Sequence, residues 1–206
     1  MASRISPTRP AHGNQARAER TRAMAIEETV RCVVEEGVGA ATAKHIAERA
    51  GVTWGVIQYH FGDRDGLLMA VIDQGFQELT AALADVPPTS PASSTRQRVE
   101  LAVTLAWEAM SSPTSRAAIE ILIATRATRG VAAAGHLKQL GKSFTRLGAL
   151  IDDRLSASQR AALGDLLLSN VRGLVTTQLI MSDDIQTSRS RGILVDVVST
   201  YLEHEG

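Results

Sequence analysis

Apolar residues recur at steps of three and four along most of this chain, and no β-hairpin signal stands out, so the pattern predicts helices throughout. Ile26, Val30, Val33 and Val34 share one face of a first helix that ends at Gly37, with Glu27, Glu28, Glu35 and Glu36 turned to water. Leu67, Leu68, Val71, Ile72 and Phe76 mark a longer helix running to about Leu83. Asp85-Val86-Pro87-Pro88-Thr89-Ser90-Pro91-Ala92-Ser93-Ser94 has no periodicity and reads as a linker. Val99, Val103, Ala106, Trp107 and Met110 form the next face, which Ser111-Ser112-Pro113 stops, and Ala117 to Arg129 forms another helix with Ile119, Leu122 and Ile123. Leu137, Leu140, Phe144, Leu147 and Ile151 predict a long helix. A helix capped by Ser156 or Ser158 then runs to about Met181, apolar on more than one side, and Asp183-Asp184 separates it from a last helix with Ile193, Leu194, Val197, Val198 and Tyr201.

Between the first two long helices lies Thr42 to Phe61, TAKHIAERAGVTWGVIQYHF, which has the punctuation of two short helices and a tight turn. Thr42 is placed to cap the first, with Ile46, Ala47 and Ala50 as its apolar face. Gly51 stands where a helix ends at positive φ, Val52 plugs the turn, and Thr53 can cap a second helix beginning at Trp54. Ile57 and Phe61, four apart, share the face that packs inward. The other face carries Trp54, Gly55, Val56, Gln58, Tyr59 and His60, a mixture of amide, aromatic and small residues rather than the Lys and Glu of an ordinary surface helix. A helix-turn-helix presents such a face to a DNA major groove.

Thr42, Ile46-Ala47, Ala50-Gly51-Val52-Thr53, Tyr59-His60-Phe61, Arg64 and Leu67-Leu68 together resemble the N-terminal signature of the TetR/AcrR family of bacterial regulators, over Ile26 to about Leu68. Gln58 departs from the pattern, standing where many members carry Tyr. Beyond Leu79 the likeness is one of length and helix layout. The resemblance implies an all-α fold: an N-terminal three-helix helix-turn-helix DNA-binding domain plus a larger helical ligand-binding and dimerisation domain. It implies a repressor role, a homodimer on a palindromic double-stranded DNA operator, and release by a small-molecule effector. Domain bounds expected on this basis are 1–15 as a disordered basic arm, 16–65 as the DNA-binding domain and 66–206 as the larger domain, with 66–84 as a connecting helix.

Charge changes the picture locally. The 206-residue chain has a formal net charge of zero, which excludes a generic polyanion binder. Residues 1–22 nevertheless hold Arg4, Arg9, Arg17, Arg20 and Arg22 against Glu19 alone. Arg4 and Arg9 read most simply as part of a solvated tail, whereas Arg17, Arg20 and Arg22 adjoin the first helix and are candidates for phosphate or minor-groove contacts. Base edges are assigned to Trp54, Gly55, Val56 and Gln58. Phosphates fall to Thr42, Lys44, Thr53, Tyr59, His60 and Arg64, and Lys44 is also within reach of a guanine.

Catalytic chemistry finds no footing. The five histidines are scattered, and there is no His-Glu-x-x-His, glycine-rich phosphate loop or Gly-x-Ser-x-Gly elbow, so no enzyme and no cofactor is expected. Cys32, the sole cysteine, excludes an intrachain disulfide; neither a cysteine-based zinc site nor any other metal is expected, and a buried inert thiol is the reading. No run approaches the roughly 20 apolar residues of a membrane span, and a soluble cytoplasmic protein is expected. For an effector the candidates are Trp107, Met110, Ile123, Arg126, Phe144, Leu147, Asn170 and Leu174, each with ordinary core packing or a solvated charge as its bland alternative. The last two helices, at about 158–181 and 185–204, have surplus apolar surface and small residues, Gly164, Ser169, Gly173 and Gly192, that permit close approach of a second copy. Packing within one protomer explains the same pattern. The rival reading of the whole is a helical interaction module whose helix-turn-helix binds protein.

Overall fold

The computed structural model describes residues 11–84, 93–127, 144–152, 154–181 and 186–205, and among them there is no strand. The elements are α1 (Ala11–Glu36), α2 (Ala43–Arg49), α3 (Trp54–Phe61), α4 (Arg64–Ala82), α5 (Thr95–Ser111), α6 (Pro113–Ala124), α7 (described over 144–151), α8 (Ala157–Ile180) and α9 (Ser188–Glu205). The chain divides within α4 into two units, Met1–Ala70 and Val71–Gly206.

In the first unit, α1 begins at Ala11, so residues 11–15 of the expected arm belong to a helix, while residues 1–10 lie outside the described residues. Ala, Arg, Gln and Glu dominate from Gln15 onward, and their helix propensity carries the element back through Gly13. Ala25, Ile26, Val30 and Val33 are buried, but Val34 is 46% exposed, so it does not share the core face assigned to it. The stripe instead widens to the other side, through Thr29 and Cys32. Ile46, Ala47, Ile57, Leu67 and Leu68 complete this core.

In the second unit, α5 packs against α6, α8 and α9. Leu83, Val99, Val103, Ala106, Leu147, Ile151, Leu167, Val171 and Val175 are in its core. Serine caps set the register of three helices. Ser94 and Ser156 each form a full capping box, with Gln97 and Gln159 reaching back, and Ser112 accepts from the Ser115 amide. Ser112-Pro113, expected as a stop, is therefore also a start, because proline at the first helical position loses no intrahelical bond. α6 opens four residues earlier than expected and closes at Ala124 rather than Arg129, which lies outside the described residues, as do Leu137, Leu140, Asp183 and Asp184.

α7 and α8 pack closely through two glycines. A Cβ placed on Gly164 would lie 2.0 Å from the Phe144 carbonyl oxygen, and one on Gly148 would lie 2.0 Å from that of Arg160. The helices run antiparallel and touch backbone to backbone. Gly164, expected to admit a second copy, is thus consumed inside the protomer, whereas a Cβ on Gly173 or Gly192 would meet nothing within 4 Å.

Candidate nucleic-acid interface

The α2–α3 corner is built by its caps. Thr42 has extended backbone (φ −91°, ψ 150°) and its hydroxyl accepts from the His45 amide at 3.2 Å, which starts α2. Gly51 adopts φ +64°, the left-handed turn a Cβ would oppose, and the Val52 amide donates back to the Ala47 carbonyl at 2.9 Å. Thr53 is extended as well, but its hydroxyl makes no cap hydrogen bond, so α3 starts with an exposed hydroxyl that is not spent on the helix. Gly62 ends α3 at φ +79°, and Asp63 Oδ1 accepts from the Gly66 amide to begin α4.

This geometry turns one side of α3 outward. Ile57 is fully buried and holds the helix to the unit's core, while Trp54 is 52% and Tyr59 80% exposed, and Thr53, Gly55 and Gln58 are exposed too. Val56 and His60 are half-buried. Leaving two large aromatic rings in water forgoes burial worth on the order of 2 kcal/mol each, so such a face implies a partner. Phe61, expected inside, is half-buried at the α3 end, where the Arg22 guanidinium lies 5.4 Å from its ring centroid. Tyr59, His60 and Phe61 form a row of rings, with centroids 5.0 and 6.0 Å apart.

Of the basic candidates, Arg17, Arg20 and Arg22 are exposed on α1, with Arg20 Nε donating to the Ala16 carbonyl at 3.2 Å. Lys44 is exposed at the start of α2, with Nζ 3.9 Å from Glu48. Arg64 has a further task that sequence spacing does not reveal. Its guanidinium donates to the carbonyls of Ala41, at 2.8 Å, and Val38, at 2.7 Å, tying the start of α4 to the loop between α1 and α2. Also invisible in the sequence is the network joining α1 to α2. Arg49 bonds Glu36, meets Glu35 at 2.8 Å and lies 3.5 Å from Glu28, and His45 Nε2 is 3.0 Å from Glu36 Oε2. The hydrogen bond and charge of His45, followed by the hydrogen bond and charge of Arg49, hold the Glu36 carboxyl below its ordinary pKa, and Glu35, followed by Glu36, raises that of the Arg49 guanidinium. These partners are nine to twenty-one residues apart, beyond any helical periodicity.

With this geometry in view, comparison shows what the corner is similar to. The sequence pattern of the family described as bacterial regulatory proteins, tetR family, matches residues 25–71, from the core stripe of α1 through the recognition corner into α4. Over these residues the chain carries the tetR-family pattern. The HTH-type transcriptional regulator BetI of Burkholderia thailandensis is 38% identical over 63 residues, which are 31% of this chain and 32% of that protein. The match therefore spans about a third of the length of such relatives. A transcriptional regulator from Aquifex aeolicus VF5 superposes with a TM-score of 0.63 at 13% identity, over 88% of this chain and 99% of its own. The multidrug binding protein EbrR, complexed with imidazole, does so with a TM-score of 0.57 at 21% identity, over 86% and 89%. At such identities the likeness is one of fold. It extends the TetR/AcrR architecture, a helix-turn-helix domain followed by a larger helical domain, beyond the matched head.

The eight effector candidates do not gather at one place. Met110 and Leu147 are buried in the core of the second unit, with Trp107 and Phe144 packed against it and Arg191 stacked 4.4 Å over the Trp107 ring. Asn170 and Leu174 line an open groove of about 440 Å³ with Ser169, Gly173, Ser190 and Leu194. Ile123, 53% exposed, lines a second, more apolar groove of about 400 Å³ with Ile119, Leu122, Arg172 and Thr176. Arg126 is exposed in the turn after α6. On α8 and α9, Leu166, Ile180, Ile193, Val197 and Tyr201 are between 49% and 73% exposed. No helix among the described residues is long and apolar enough to cross a membrane.

Proposed function

We propose that this protein is a transcriptional repressor of the TetR/AcrR family that reads a palindromic operator as a homodimer and is released by a small molecule. The observation that carries the reading is the outward face of α3, where Thr53, Trp54, Gln58 and Tyr59 project together from a corner of tetR-family sequence. Trp54, Gly55, Val56 and Gln58 meet base edges, Gln58 being suited to the N6 and N7 of adenine, and Thr42, Lys44, Thr53, Tyr59, His60 and Arg64 hold phosphates together with Arg17, Arg20 and Arg22. One recognition helix per chain suffices when a two-fold pair reads half-sites roughly 34–36 Å apart. The exposed apolar residues of α8 and α9 support the pairing, and the open positions at Gly173 and Gly192 let a second copy approach.

For the effector, the groove at Asn170 and Leu174 supports a ligand better than the core position of Leu147 does, and EbrR is a relative in fold that is described as binding drugs. A ligand that prefers a conformation unable to hold DNA, by about 1–3 kcal/mol, weakens operator affinity some 5- to 150-fold.

Selection of bound duplexes from random-sequence DNA tests the reading. The expected product is a palindrome whose affinity falls linearly with salt on logarithmic axes. Failure to enrich any duplex, with a protein partner captured through α3 instead, would overturn it in favour of an interaction module.

A further inference from the structure

Within the network joining α1 to α2, three side chains of different chemistry converge. Cys32 and Glu36 are one helical turn apart on α1, and His45 comes from the first turn of α2. The Cys32 sulfur, a Glu36 carboxylate oxygen and a His45 ring nitrogen all lie within 4.8 Å of one another. We propose that Cys32, Glu36 and His45 form a binding site for a divalent metal ion of the zinc class, which staples α1 to the helix-turn-helix.

Thiolate, imidazole and carboxylate are the donor set that zinc accepts, at about 2.3, 2.0–2.1 and 2.0–2.2 Å respectively. Donors around a tetrahedral ion therefore stand roughly 3.3–3.7 Å apart. His45 Nε2 and Glu36 Oε2 are already 3.0 Å apart, so closing the set requires a shift of about 1 Å at most, which rotation of exposed side chains supplies. The His45 and Glu36 side chains are 37% and 38% exposed, which gives an ion a way to the buried sulfur. Three protein donors leave a fourth position for water.

Charge favours a cation here. Glu27, Glu28, Glu35 and Glu36 meet the guanidiniums of Arg31 and Arg49, four carboxylates against two cations, which leaves the cluster negative. Arg49 bonds Glu36 through Oε1, so Oε2, the oxygen nearer His45, is the one turned to the proposed ion. The expectation that one cysteine cannot make a zinc site considered sets rich in cysteine. A mixed set needs only one, and it escaped the sequence because His45 is brought in by the fold.

Cobalt(II) titration of the full chain is the test, because a thiolate ligand gives a charge-transfer absorption that carboxylate and imidazole do not, and Cys32 is the only thiol. The expected result is a band saturating at one ion per chain, lost in Cys32→Ser and shifted to at least about 10-fold higher cobalt in Glu36→Gln and His45→Ala. Zinc should raise the melting temperature of the wild type, reversibly with chelator, and not that of His45→Ala. Glu36 and His45 are accessible, so their variants carry the test even if Cys32→Ser fails to fold. Cobalt binding without the band, or a band whose saturation Glu36→Gln and His45→Ala leave unchanged, overturns the proposal.

Discussion

Two surfaces of this protein expose large apolar side chains, and they differ in what surrounds them. On α3, Trp54 and Tyr59 are interleaved with Thr53, Gln58 and His60, so every ring has a hydrogen-bonding neighbour. On α8 and α9, Ile180, Ile193, Val197 and Tyr201 share their helices with Gly173 and Gly192, where an added Cβ would meet nothing within 4 Å. The first composition matches a groove edged with donors, acceptors and methyl groups. The second matches a protein surface. Exposure alone does not separate the two proposed occupants, DNA and a second copy of the chain; the proposal rests on the residues between the apolar ones.

The comparison breaks most sharply at α9. Val197→Asp would bury an unpaired charge in the proposed seam at a cost of about 3–5 kcal/mol, and sedimentation should show monomer where the wild type is dimeric. A wild type that is monomeric at micromolar concentration would remove the distinction altogether. Gly164→Val comes next, and it tests the claim that this glycine serves the protomer and not the seam. Its new carbons would meet the Phe144 carbonyl, at a cost at or above the 1–3 kcal/mol typical of overpacking. Chemical denaturation should show the larger unit weakened, whereas Gly173→Ala, which meets nothing, should leave protomer stability nearly unchanged.

On the α3 side, Gln58→Ala should cost about 1–3 kcal/mol on the selected operator and much less on random duplex. Equal losses on both would place Gln58 among the backbone contacts. The smallest effect lies away from both surfaces. The Arg154 hydrogen bond holds the Asp152 carboxyl at about 2 against an ordinary 3.8. A depressed carboxylate contributes stability that is present above its ordinary value and lost as pH falls through about 2. Arg154 is 79% exposed, so Arg154→Ala should cost less than about 1 kcal/mol near neutral pH, read as an earlier onset of acid unfolding.

Local chemistry made the recognition corner legible before any coordinates. Thr42 as a cap, Gly51 at positive φ and the inward Ile57 follow from residue type and helical spacing, since each depends on neighbours within about one turn. The same reasoning read Ser112-Pro113 as the stop of α5, which it is, and missed that it also opens α6, because a cap and a breaker share one composition. It also placed Val34 in the core, since a four-residue step from Val30 is compatible with either edge of the stripe.

What the sequence determined by itself is the helical character of the described segments, the Thr42 cap and the face of α3 that no core residue claims, all matters of short range. Tertiary structure decided which residue meets which across long separations. Arg64 reaches back to Val38 and Ala41, His45 and Cys32 converge from different helices, Gly164 spends its missing side chain on Phe144, and Leu147 enters the core while Leu174 lines a groove. Periodicity reports the direction a side chain takes from its own helix. Which neighbour it meets depends on where helices cross, and the contacts of the whole chain fix that together.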